Sequence, residues 1–509
     1  MYSKIYTCFL EGLQGYKVEV EADIARGLQA FNIVGLADVS IKEAKERVRS
    51  AITNSGFKFP VGRITINLAP ANLKKEGSQL DISIAISILT AYGTIIKEPK
   101  DNIAFIGELA LDGRLMSVDG ALPMAISLKE MGFEKIIVPV DNKEECSLVK
   151  GVDIIPVDNL TNLVDYLNEN IDIEPFNEDV FSDFEEEVEY DIDFSEIKGQ
   201  KSLKRAMEIA AAGEHNLLMI GPPGAGKTMA AMRLPTILPP LDFEESMECT
   251  KIYSVSGELK ENRLVKKRPF RAPHHTSSSV SIIGGGRIPK PGEISLAHNG
   301  ALFLDELPEF PKSTIEVLRQ PLEEKTITIS RANATLTYPA NFLFIAGANP
   351  CPCGYYGSEE HECTCSASQI QRYLGKISRP ILDRIDIHVD VKPVKLKDLR
   401  DKTPEEPSKD IRERVVKARN IQRERFKGEK TKTNGQMNNR LIKKYVKLDD
   451  NLNELLEAAY QKYKFSARSI NKILKLCRTI ADLDGSEDIK EKHLLEAIRF
   501  RTVDTKYWG

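Results

Sequence analysis

The stretch Gly221-Pro222-Pro223-Gly224-Ala225-Gly226-Lys227-Thr228 limits the fold more than any other. It fits G-x-x-x-x-G-K-[ST], whose glycines let backbone N–H groups close on phosphates. The apolar run Leu217-Leu218-Met219-Ile220 before it suits a buried parallel strand, and Met229 to Leu234 after it reads as a helix start. A strand, a Gly-rich turn and a helix N-terminus together favour a bound anion. All eight loop residues are thus expected to line the phosphates of ATP or GTP. Lys227 would reach the β- and γ-phosphates, and Thr228 would hold Mg²⁺. The expected fold class is α/β.

Two later apolar strands extend this site. Ala301-Leu302-Phe303-Leu304 runs into Asp305 and Glu306, the Walker B pattern. Asp305 is expected to hold Mg²⁺ through water and Glu306 to polarise the attacking water. Phe342 to Ala348 ends in Asn349, which resembles the water-orienting sensor 1 of AAA+ ATPases. Arg384, in Leu382-Asp383-Arg384-Ile385, resembles an arginine finger that reaches a neighbouring subunit's γ-phosphate. Arg468, in Ser466-Ala467-Arg468, resembles sensor 2. A finger acting between subunits implies a ring, most simply a homo-hexamer.

The length of 509 residues predicts about three domains. Residues 1–170 alternate strand-like and helix-like runs, an α/β unit with a mixed sheet. Residues 171–196 form an acidic linker, with twelve Asp/Glu and no Lys or Arg from Asp172 to Glu196, expected to be an extended tether. Residues 197–395 are the ATPase core, and 396–509 an all-α lid expected to close over the nucleotide and carry Arg468. Within it, Ile411 to Lys432 holds nine Lys/Arg against three Asp/Glu. This is either a solvated helix face or a DNA-facing patch. The chain's net charge is −4, so contact with nucleic acid must come from local patches. No apolar run approaches the roughly 20 residues of a membrane span. The first residues lack a signal-peptide pattern, so a cytoplasmic location without membrane partners is expected.

Four of the eight cysteines are scattered. The others form two C-x-C pairs, Cys351/Cys353 and Cys363/Cys365, around a nine-residue loop. Four thiolates suit tetrahedral, structural zinc. Redox-active thiols and unliganded cysteines are the alternatives.

Several segments carry a family resemblance. Phe31 to Asp38, Asn67 to Ser78 and Gly107 to Gly113 resemble the Lon-protease-like (ribosomal S5 domain 2-like) domain of magnesium-chelatase-like ATPases. On the Lon pattern, Gln79 takes the position of the catalytic serine and Leu122 that of the lysine, so proteolysis is not expected; Ser78, one residue away, is the alternative placement of the serine. With Arg268 to Thr276, Pro291 to Gly300 and Arg478 to Leu483, almost the whole chain resembles the YifB/ComM family of magnesium-chelatase-like AAA+ proteins. The resemblance implies a Lon-like domain, a P-loop AAA+ core and a helical lid. It further implies a hexameric helicase that migrates branched DNA during natural transformation, with ATP and Mg²⁺ as cofactors. The sequence Ser378-Arg379-Pro380 departs from the family's Ser-Gly-Pro and offers Arg379 as a second finger candidate.

Two inserts are candidates for DNA contact. One is a Gly-rich loop with Arg287 and Lys290. The other is a hairpin over residues 325–339 with Arg331 near its tip, resembling the pre-sensor 1 hairpin of related helicases. His274-His275 is read as a loop feature and not a metal site. The competing function is a protein-remodelling motor of the magnesium-chelatase or MoxR type.

Overall fold

The computed structural model describes the chain except residues 37, 76, 178–183, 185–187, 260–262, 287–288, 332–333, 359–360, 395–397, 399, 401–402 and 509. The side chains at 39, 40, 42, 331, 334 and 505 also lie outside the description. Arg287 and the side chain of Arg331, both expected to touch DNA, therefore fall outside the described residues.

The N-terminal part is built on one seven-stranded mixed sheet. Its strand order is 30–34, 63–69, 14–25, 2–11, 103–105, 135–139, 153–157. The strand Arg63–Ala69 alternates buried and more exposed positions, the period-two pattern that gives a sheet one packed face. The helix Val39–Asn54 starts where the Asp38 side chain accepts the Ile41 amide, an ordinary N-cap. Helix Asp81–Tyr92 is mostly apolar and almost entirely buried. Arg47 closes on its first residue, Asp81, at 2.8 Å.

The motor is a five-stranded parallel sheet in the order 270–271, 301–304, 343–348, 217–220, 387–390. Every residue of Leu217–Ile220, Ala301–Leu304 and Leu343–Ala348 is buried. Unbroken apolar runs are what a parallel sheet covered on both faces requires. The remainder is helical: Ser408–Arg425, Asn439–Tyr445, Asp450–Tyr463, Ala467–Leu483 and Glu491–Trp508. The α/β class with a helical C-terminal part is thus what the chain adopts. Among the described residues, no helix is long and apolar enough to cross a membrane.

Two charge-based expectations need correction. The acidic stretch is not a free tether at its end. Phe194 is fully buried, its N–H donates to Ser408 Oγ at 2.7 Å, and Asp193 with Glu196 forms a capping box. Burial of the Phe194 ring and hydrogen bonding of the carboxylates hold the segment down despite its charge. The basic stretch, in turn, is neither wholly solvated nor an open patch. Arg414 pairs with Glu208 at 2.6 Å and Arg419 with Glu214 at 2.9 Å, on the helix Lys201–Gly213 and its C-cap, and Arg425 pairs with Asp482 of helix Ala467–Leu483 at 2.5 Å.

The N-terminal part is docked on the motor. Gly120 N–H donates to Ser254 O at 3.0 Å, and Ser254 Oγ–H donates to the buried Glu145 carboxylate at 2.6 Å.

Candidate active site

The phosphate loop leaves the carboxyl end of Leu217–Ile220, where Gly221 N–H bonds Ala348 O of the adjacent strand at 3.1 Å. Gly224 and Gly226 have φ of 76° and 89°, conformations that glycine reaches without strain. The helix Lys227–Arg233 follows at once, so its free N–H groups face the loop. Lys227 is buried, and its Nζ donates to Gly221 O at 2.7 Å, Pro222 O at 3.0 Å and Asn349 Oδ1 at 3.1 Å. Burial lowers its pKa, opposed by the carboxylates of Asp305 and Glu306. Thr228 Oγ–H bonds Asp305 Oδ2, and Asp305 Oδ1 accepts the Glu306 N–H at 2.9 Å.

Lys227, Thr228, Asp305, Glu306 and Asn349 therefore form one cluster at the carboxyl ends of three parallel strands, where such sheets bind ligands. Thr228 and Asp305 supply oxygen donors of the kind a hard cation takes. Gly347 makes room for this: a Cβ there would lie 2.5 Å from Asp305 Oδ1. Glu306 has φ of 51°, a left-handed conformation that costs a non-glycine residue about 1–3 kcal/mol and gathers at functional sites.

Two residues join the cluster that sequence reasoning did not assign to it. His275 Nδ1 lies 3.6 Å from Glu306 Oε2. Gln200 donates its amide to Ala225 O at 3.0 Å and Lys392 O at 2.7 Å, bracing the phosphate loop from below. The His-His pair and the Gly199-Gln200 turn were visible in the sequence, but nothing in them pointed to a loop tens of residues away.

Arg384 and Arg468 are brought together, but not to their own phosphate loop. Asn216 precedes the strand that ends at that loop, and its side-chain amide donates to Arg384 O at 2.8 Å. The five residue steps from Asn216 to Gly221 span roughly 16 Å. Arg384 is also turned back onto Pro380 O at 2.7 Å and paired with Glu323. Arg468 is exposed and 3.6 Å from Asp383. Both arginines line one open cavity of about 700 Å³ to which no phosphate-loop residue contributes. Arg468 of the expected lid does not reach the chain's own phosphate loop in this structure. Lys472, one turn along the same helix, is bound to Ile385 O at 2.9 Å and Asp386 at 3.3 Å, which holds that helix at the amino end of the sheet. Arg379 bonds Trp508 O and has an intramolecular role.

The four clustered thiols all lie within 4.8 Å of one another. The N–H of Tyr356 donates to Cys351 Sγ at 3.3 Å. Donor type, number and spacing fit a tetrahedral zinc site.

The insert hairpin pairs Thr326–Arg331 with Ala334–Pro339 and buries Ile327, Ile329, Leu336 and Tyr338 on one face. Tyr338 OH donates to Pro289 O at 2.8 Å, joining it to the Gly-rich insert. Lys290 is not the free cation expected of a DNA-contacting loop. Its Nζ pairs with Asp119 of the N-terminal part at 2.7 Å because the insert packs on that part.

In the N-terminal part, Leu122 is fully buried and Ser78 Oγ–H bonds Glu108. Lys75 Nζ is taken by the carbonyls of Gly35, Leu68 and Pro70. Among the described residues, Ser78 Oγ–H is bonded to Glu108 and Lys75 Nζ is bonded to backbone carbonyls instead.

Comparison with known proteins agrees with this architecture. Residues 20–142 match subunit ChlI of Mg-chelatase, 193–399 match magnesium chelatase subunit ChlI, and 405–501 match its C-terminal region. The chain is 41% identical over 505 residues to the uncharacterized protein YifB of Escherichia coli, covering 99% of this chain and 97% of that one. It is 42% identical over 505 residues to the competence protein ComM of Haemophilus influenzae, covering 98% and 97%. Over 165 residues it is 27% identical to Lon protease 2 of Bacillus subtilis, covering 29% of each chain.

Proposed function

The chain belongs to the magnesium-chelatase-like AAA+ family, and from that premise we propose that it is an ATP-hydrolysing, ring-shaped DNA motor. The observation that carries the reading is the separation of Arg384 and Arg468 from their own Lys227. An ATPase whose cationic side chains face away from its own phosphates is completed by a neighbouring copy. The Gly221–Thr228 loop would hold the phosphates of ATP, and Thr228 and Asp305 would hold Mg²⁺, which would neutralise phosphate charge. Glu306 polarises the lytic water, Asn349 orients it, and a neighbour's Arg384 and Arg468 neutralise the γ-phosphate. A homo-hexamer is the simplest closed arrangement. Zinc held by Cys351, Cys353, Cys363 and Cys365 is a structural ion.

DNA is the proposed track. ComM is named a competence protein, and this chain is similar to it along nearly its whole length. The motor would then migrate branches in recombination of transforming DNA. The insert hairpin with Arg331 and the loop with Arg287 are the proposed contacts, and Lys290 joins them only on leaving Asp119. A second reading, a protein-remodelling motor of the magnesium-chelatase type, is favoured by that Lys290–Asp119 pair, since it holds the insert against another part of the same chain.

ATPase rate and strand displacement, measured with and without branched DNA over a salt series, separate the two. The DNA reading expects stimulation that falls steeply with salt. Absence of stimulation and of unwinding at low salt would leave the remodelling reading.

A further inference from the structure

We propose that the four-cysteine site fastens the last helix to the back of the phosphate loop, so that metal occupancy governs nucleotide affinity. The proposal rests on the structural-zinc reading above and adds a task for the ion.

The cysteine knot begins two residues after Asn349, where the central strand ends. Its first turn is closed by Gly354 N–H on Cys351 O at 3.0 Å. Gly354 has φ of 86°, and a Cβ there would lie 2.5 Å from Pro223 Cδ. The knot therefore touches the phosphate loop itself. On its other side, the Tyr356 ring meets the Tyr507 ring edge-on, with centroids 6.4 Å apart. Tyr507 OH and Lys506 Nζ both hold Asp390, at 3.1 and 2.6 Å. Asp390 is the strand partner of Ile220, the last residue before the loop.

The helix Glu491–Trp508 thus ends against the phosphate-loop end of the sheet. Near its middle, Arg501 donates to Ile385 O at 2.8 Å, beside Arg384. One rigid element accordingly runs from the arginine face to the phosphate loop, with the knot at its far end. Among the described residues of 354–362 only Gly354 is buried, so apolar packing does not order this loop. A cross-link through four thiolates supplies the order that packing does not.

Trp508 is the only tryptophan in the chain, is buried, and donates its indole N–H to Leu374 O at 3.1 Å. Its emission therefore reports whether the last helix is docked. The test uses the full-length protein. Zinc content is measured by elemental analysis, Trp508 emission is followed while a strong chelator removes metal, and affinity for a fluorescent ADP analogue is measured before and after. The expected result is about one zinc per chain, a red shift of Trp508 on removal, nucleotide affinity weakened by about fivefold or more, and reversal when zinc is returned. Tyr356→Ala should keep the metal and still shift Trp508, which separates docking from ligation. Cys363→Ser should lose metal with helix content preserved; chelation of the unaltered protein decides if that variant does not fold. Loss of zinc with Trp508 emission and nucleotide affinity unchanged would overturn the fastening role and leave the zinc reading intact. Absence of stoichiometric zinc would overturn both.

Discussion

Asn216 donates its side-chain amide to the Arg384 carbonyl at 2.8 Å, fixing Arg384 at the amino end of the strand whose carboxyl end leads to Lys227. On the proposed reading, the two halves of one hydrolytic site therefore lie at opposite ends of the parallel sheet in each subunit. Lys227→Ala removes phosphate binding but keeps a finger, and Arg384→Ala keeps phosphate binding but offers no finger. Each variant alone is expected to lose about 10³-fold or more in kcat. An equimolar mixture should regain activity, because some interfaces pair an intact loop with an intact arginine. ATPase assays over a range of mixing ratios check this, and a mixture no more active than its components would place the finger elsewhere.

Glu306 is held at φ 51° beside His275, with its N–H tied to Asp305 Oδ1 at 2.9 Å. Its carboxylate bonds neither Lys227 nor Thr228, so its removal should spare nucleotide binding. Glu306→Gln is expected to lower kcat by about 10²- to 10⁴-fold with ADP-analogue affinity within about twofold of the unaltered protein. Equilibrium binding and steady-state hydrolysis measured on the same preparation separate the two effects.

Much of this arrangement was legible from residues. Leu217–Ile220 and Ala301–Leu304 are unbroken apolar runs with polar or Gly-rich ends, and burial on both faces fixes such runs as strands. The side on which Arg468 sits was not legible. That depends on how the Ala467–Leu483 helix meets the sheet, and the contacts that decide it are buried and polar: His215 with Asp386, and Lys472 with Asp386. Polar pairs between residues far apart in sequence leave no periodic trace. The inward turn of Arg414, Arg419 and Arg425 was hidden for the same reason, since a basic stretch reads alike whether its partners are phosphates or buried carboxylates.

Asp386 gives that junction a pH signature. Burial opposes its ionisation, but Lys472 and His215 hold its carboxyl well below the usual carboxylate range. A carboxylate with a depressed pKa contributes stability that is present above the unfolded pKa of about 3.9 and is lost as pH falls below it. The loss accrues at up to about 1.4 kcal/mol per pH unit. His215, whose pKa burial lowers, shifts stability in the same direction near neutrality. Asp386→Asn should be less stable by about 3–5 kcal/mol at pH 7 and should lose less than the unaltered chain between pH 4 and pH 3. Urea midpoints at pH 7, 4 and 3 measure both slopes, and parallel slopes would remove Asp386 from the account.

Glu145 joins the N-terminal part to the motor. Its buried carboxylate accepts Ser254 Oγ–H at 2.6 Å from the motor helix, and Asn142 Nδ2–H at 2.6 Å and Leu122 N–H at 3.3 Å from its own side. Glu145→Ala leaves buried donors without an acceptor, at about 1–3 kcal/mol for each group stranded. Glu145→Gln keeps a carbonyl oxygen for Ser254 and should cost less. Each sheet keeps a core of its own, and Leu264 with Phe243 and Met247 packs across the junction, so the expected consequence is loosening between parts and not unfolding within them. Limited proteolysis should then cut Glu145→Ala faster between residues 170 and 196, with Glu145→Gln intermediate and the thermal midpoint of the motor little changed. Equal cleavage rates for all three proteins would show that Gly120 and the Lys290–Asp119 pair hold the parts together without it.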